Sequence, residues 1–135
     1  MVKVNRKTGK RAGFGIPKKL MYIRALNKSS LYKGCLEPIV LQMLRENGRM
    51  YGFEITQRVK MITSNEWQIT EGALYPLLHR LESEGLLEAT MENIGNRVRK
   101  YYTLTSRGAT ATAGSLREVQ QFMSTLQILF HPKTA

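Results

Sequence analysis

Along the stretch from Thr70 to Leu87, Glu71, Tyr75, His79 and Glu82 follow one another at steps of four, four and three residues. At 3.6 residues per turn this spacing lines them along one side of a helix. Carboxylate, phenol and imidazole in such a row can accept, donate and stack, the chemistry needed to recognise flat polar surfaces such as base edges. Catalysis fits poorly. The chain has no aspartate, its only histidines are His79 and His131, and its only cysteine is Cys35. No Ser-His-acid or Cys-His arrangement and no metal-ligand cluster can be assembled from that set, and no glycine-rich phosphate loop is present. Neither an enzyme nor a bound cofactor or metal is expected.

The row needs a helix to carry it. Leu74, Leu77, Leu78 and Leu81 recur at i, i+3, i+4 and i+7 and form an apolar face for packing. Thr70 can cap the first turn, and Gly85 can take the left-handed conformation that ends a helix. Pro76 breaks the pattern: propensity alone ends the helix near Tyr75, so a bend between Gly72 and Pro76 is expected. Upstream, Leu36, Ile39, Val40, Met43 and Leu44 have helical spacing, with Pro38 in the first turn and Gly48 after the last apolar residue. Arg49 and Met50 form a short extended link. After Tyr51-Gly52, the residues Phe53, Ile55, Val59 and Ile62 mark the inner face of a second helix, with Arg58 and Lys60 outward. Thr63 to Gln68 is a polar turn, with Trp67 as its packing anchor. Two helices joined by a short turn make a helix-turn-helix.

Downstream, Leu86 to Thr90 and Val98 to Leu104 read as strands around a polar segment, Met91 to Arg97, that contains Gly95-Asn96. This hairpin is a wing, with Asn96, Arg97, Arg99 and Lys100 near its tip and one of Tyr101 and Tyr102 turned inward by alternation. A last helix, capped by Thr105 or Ser106, carries Leu116, Val119, Met123, Leu126 and Phe130 at three- and four-residue steps, with Phe122 beside them. The seam outruns the small body, and a second copy of the chain is the simplest partner for it, the alternative being a helix folded back on its own body.

The whole chain has 135 residues, a formal charge of +11 and a pI near 10.1, which points to a polyanionic partner. Residues 1–30 hold nine Lys or Arg and no acid, leaving twelve cations against ten acids in the remainder. We read 1–30 as a flexible basic arm that contacts phosphates, or as a solvated tail, or, with Met21 as the natural start, as an upstream extension in part. The arm shows neither the apolar core nor the cleavage site of a secretory signal, and no apolar run reaches the roughly 20 residues of a spanning helix. A cytoplasmic protein without membrane contact is expected, with Cys35 filling core.

From Gly34 to Gly108 the chain resembles the PadR-like winged helix-turn-helix transcriptional regulators. The motifs that carry the resemblance are G-C-L-E-P-I-V-L-Q-M-L, Y-G-F-E-I-T, T-E-G-A-L-Y-P-L-L-H-R-L-E-S-E-G-L-L and R-K-Y-Y-T-L-T-S-R-G. The single helix after the wing looks like the smaller branch of that family. The implied fold is mainly α with a small β-hairpin: a basic arm (1–30), a winged helix-turn-helix domain (31–104) and a C-terminal dimerisation helix (105–135). The resemblance implies a homodimeric repressor or regulator on an inverted-repeat operator, and in some relatives a small aromatic effector between subunits. For this chain, double-stranded DNA and a second copy are the expected partners. Base edges fall to Thr70, Glu71, Tyr75 and His79, unless Glu71 only complements the helix dipole and His79 is a solvated surface residue, and phosphates or the minor groove to Arg80, Asn96, Arg97, Arg99 and Lys100. Tyr51 either bonds a phosphate from the second helix's start or packs as core. The alternative is a winged helix used as a protein-interaction or RNA-binding module driven by the basic arm.

Overall fold

A computed structural model of the chain describes Lys18 and residues 30–131. The expectations for the basic arm and for Met21 lie outside the described residues. By internal contacts the chain divides into Met1–Cys35 and Leu36–Ala135. The fold below is that of the second unit; Cys35, at the end of the first, is half-buried rather than core filling.

Helix α1 (Leu36–Asn47) forms because Leu36, Val40, Leu41, Met43 and Leu44 fall on one stripe that is removed from water. The link after it is strand β1 (Arg49–Tyr51), which leads without a gap into α2 (Gly52–Ile62). The inner face of α2 is Gly52, Ile55, Thr56 and Val59, at i, i+3, i+4 and i+7. Phe53 and Ile62, expected inside, are 49% and 58% exposed. Phe53 is two residues from Ile55, about 200° around the helix, and Ile62 is the terminal residue.

The turn after α2 is held by Thr63, whose hydroxyl accepts from the Trp67 N–H at 3.1 Å, while Trp67 packs half-buried on the core. Helix α3 (Glu71–Ser83) follows, with Thr70 Oγ1 accepting from the Ala73 N–H at 3.2 Å. Leu74, Leu77, Leu78 and Leu81 are all buried, and Gly85 takes φ +79° just beyond the end. The helical pattern is unbroken through Pro76. That proline deprives one carbonyl, Gly72's, of its helical partner, and both residues are exposed, so water can serve the carbonyl instead.

Strands β2 (Leu87–Ile94) and β3 (Arg97–Leu104) are longer than expected and leave only Gly95-Asn96 as the turn, with φ +62° at Gly95. The segment from Met91 to Ile94 lacks an alternating signal because the hairpin has run past the body, where both faces meet water. The antiparallel sheet has the order β1-β3-β2. Alternation does turn Tyr102 into the core, but Tyr101 is buried as well, because Tyr51 and Arg49 of β1 cover its side of the sheet.

Helix α4 (Ser106–Phe130) begins at Thr105, which makes two bonds at once. Its hydroxyl accepts from the Gly108 N–H at 3.0 Å and donates to the Gly85 carbonyl at 2.7 Å. Thr105→Ala should therefore cost about 1–2 kcal/mol, seen in urea unfolding as a lower midpoint with an unchanged slope. The early part of α4 packs on α1; from Gln120 to Phe130 only Leu126 is half-buried.

Candidate nucleic-acid interface

Helix α3 and the wing stand on either side of a cleft of about 580 Å³. Six of the residues expected from sequence to contact DNA line it: Tyr51, Tyr75, His79, Arg97, Arg99 and Lys100. They come from three separate segments, and packing brings them together: the buried leucines fix α3, and pairing of β3 with β1 and β2 fixes the wing.

Tyr75 is half-buried, with its ring against the backbone of Gly52 and its body packed on the core. Burial pushes its phenol above the ordinary range, and nearby Glu71 adds to the shift. His79 is exposed one turn further on. Thr70 and Glu71 lie on the exposed first turn of α3, outside the cleft. The Thr70 hydroxyl spends its acceptor on the cap and retains its hydrogen for a ligand.

On the wing, Asn96 and Arg97 are exposed at the turn, and Arg97 has no partner among the described residues. Arg99 lies over the Tyr51 ring, 4.4 Å from its centroid. Lys100 bonds Glu82 of α3 at 3.2 Å, and this bond holds its ammonium above its usual range. That pair ties the wing to α3. Arg80 is also engaged: it donates to Glu37 of α1 and, at 3.0 Å, to Glu84, and the Glu37 bond, ahead of Glu84, raises its pKa. Its charge is already largely matched, so of these cations Arg97 and Arg99 are freest for phosphate. Among the described residues, no group of His, Cys or Glu is arranged to hold a metal ion. No helix there is long and apolar enough to cross a membrane.

Four further residues line the cleft without having been expected to: Gly52, Phe53, Val98 and Tyr102. For Val98 the signal exists, since it shares a strand face with Lys100. The sequence carries none for Gly52.

On the C-terminal seam, Leu116, Val119 and Leu126 are half-buried, while Phe122, Met123 and Phe130 are 58%, 56% and 71% exposed. Ile128 and Leu129 are exposed as well.

Comparison with known proteins agrees with this geometry. The family model described as "Transcriptional regulator PadR-like family" matches residues 40–114. An uncharacterised protein of Lysinibacillus sphaericus is 35% identical over 92 residues, which cover 67% of this chain and 84% of that protein. A PadR family transcriptional regulator from Eggerthella lenta has a similar structure, with a TM-score of 0.68 and 29% identity over 86% of this chain and 96% of its own. Bacillus subtilis PadR, solved in complex with operator DNA, matches at a TM-score of 0.55 and 29% identity, covering 60% of this chain and 46% of that one.

Proposed function

The chain belongs to the PadR-like family of transcriptional regulators, and from that premise we propose that it is a repressor that binds an inverted-repeat operator as a homodimer. The observation that carries this reading is the cleft, which Tyr75 and His79 of α3 line together with Arg97 and Arg99 of the wing. The first turn of α3 presents free N–H groups and the positive end of the helix dipole, which suits a groove rimmed by phosphates. Tyr75, Glu71 and Thr70 then meet base edges in the major groove, and the wing arginines follow the backbone toward the minor groove. The operator-bound state of the Bacillus subtilis relative supports the same use of this fold here.

In this reading the seam of α4 joins two copies, so that two weak half-sites about 34 Å apart act as one site. A small aromatic ligand bound between the copies would release the operator. The protein works in the cytoplasm, where the operator is. Gel-shift competition of a palindromic duplex against random DNA and structured RNA tests the reading. Equal binding to all three would instead favour binding driven by the basic arm.

Substitutions divide the roles. Arg97→Ala should weaken every duplex alike and reduce the slope of log affinity against log salt by about one. Tyr75→Ala should cost tenfold or more, roughly, in operator affinity while sparing random DNA. Full discrimination retained by the Tyr75 variant would remove α3 from the reading face.

A further inference from the structure

Tyr51 and Gly52 are the last residue of β1 and the first of α2, and each lies against one of the groups that face the cleft. A Cβ built on Gly52 would stand 2.6 Å from Tyr75 Cε1, 2.8 Å from its Oη and 2.9 Å from its Cζ. The place of the Tyr75 ring is thus one that only glycine leaves open. On the other side, the Tyr51 ring meets Tyr101 edge-on, with centroids 5.4 Å apart and planes at 79°. Arg99 lies over the same Tyr51 ring. The stack continues to Arg49, which is 3.8 Å from the centroid of Tyr101 and bonds Glu92 at 2.8 Å.

We infer that the Tyr51-Gly52 step is a positioning element for DNA recognition, with Gly52 admitting the Tyr75 ring to the reading face and Tyr51 presenting the Arg99 guanidinium from the wing. The inference rests on the proposed DNA-binding function and assigns that function two residues that work through others. Tyr51 is in this view a platform for Arg99 and not itself a phosphate ligand. The backbone keeps that platform in place, because β1 pairs Tyr51 with Tyr101 and strand register holds the ring.

Gly52→Ala separates positioning from folding. The three atoms nearest its Cβ all belong to the end of one side chain, which can swing aside, and alanine is favourable at a helix start. In the DNA-free protein, the aromatic NMR signals of Tyr75 should move while the melting temperature stays within a few degrees. The preference for operator over random DNA should fall about tenfold. In a Tyr75→Ala background the same substitution should change nothing further, because the two act through one ring. An equal loss in that background, or unmoved Tyr75 signals, would overturn the role of Gly52.

Tyr51→Phe keeps the platform and should bind like the native protein, whereas Tyr51→Leu should lose roughly two- to fivefold on all duplexes. If Tyr51→Phe lost as much as Tyr51→Leu, the hydroxyl would be the working group and the platform role would fall. A native protein that shows no operator preference would sink the DNA reading by itself. The NMR result still judges the packing of Tyr75 on Gly52 in that case.

Discussion

Gly108→Ala should destabilise the protein by about 2–4 kcal/mol, a change that at most helical positions would be neutral or favourable. Gly108 is the third residue of α4, and a Cβ there would lie 2.0 Å from the Leu86 carbonyl oxygen and 3.1 Å from Leu104 Cδ2. The obstacle is backbone, and that backbone is pinned. The Leu86 carbonyl accepts the Thr105 N–H at 3.1 Å, and Thr105 also donates to Gly85. Relieving the clash means lifting the start of α4 off the β2 junction, which breaks both bonds and disturbs the buried Thr112 one turn on. Gly114→Ala is the control, since its Cβ meets nothing within 4 Å; it should be neutral or gain up to about 1 kcal/mol. Urea unfolding at one protein concentration compares the two. Equal behaviour would mean that α4 does not dock on Leu86 as described.

The contrast between those two glycines shows what a sequence conceals. Both lie in the same helix, and nothing local distinguishes them; only the carbonyl that approaches one does. The same holds for Gly52 beneath Tyr75. Features written by local periodicity are legible: the leucine face of α3, the Thr70 cap and the Gly85 terminus all stand where spacing puts them. Features that depend on pairing between distant segments are not. Arg80 looks like a free cation until Glu37, 43 residues away, meets it. Tyr101 looks like the outward partner of Tyr102 until β1 covers it. The wing looks short in the sequence because alternation needs one dry face, and beyond Thr90 the hairpin has none. At Pro76, packing overrides propensity: four buried leucines outweigh one missing hydrogen bond at an exposed carbonyl.

Placing two charges on the far half of α4 should weaken operator binding by about 10²–10⁴ without unfolding the chain. Phe122, Leu126 and Leu129 follow Val119 at steps of three, four and three residues and so continue one face. Of these, Phe122 and Leu129 are 58% and 66% exposed, an apolar surface that an isolated body leaves in water. Joining two such faces gains roughly 1.5–3 kcal/mol per large side chain removed from water, before association costs are counted. A charge buried without a partner reverses that balance. The double substitution Phe122→Glu and Leu126→Glu should therefore sediment as a monomer at micromolar concentration with unchanged helical circular dichroism, because neither residue lies in the buried core. Affinity for a two-half-site operator should fall by about 10²–10⁴, the advantage conferred by linked binding, while affinity for a single half-site stays as before. A variant that remains dimeric would move the interface elsewhere on the chain. A monomeric variant that still binds the full operator as tightly as the native protein would show that one wing and one recognition helix suffice.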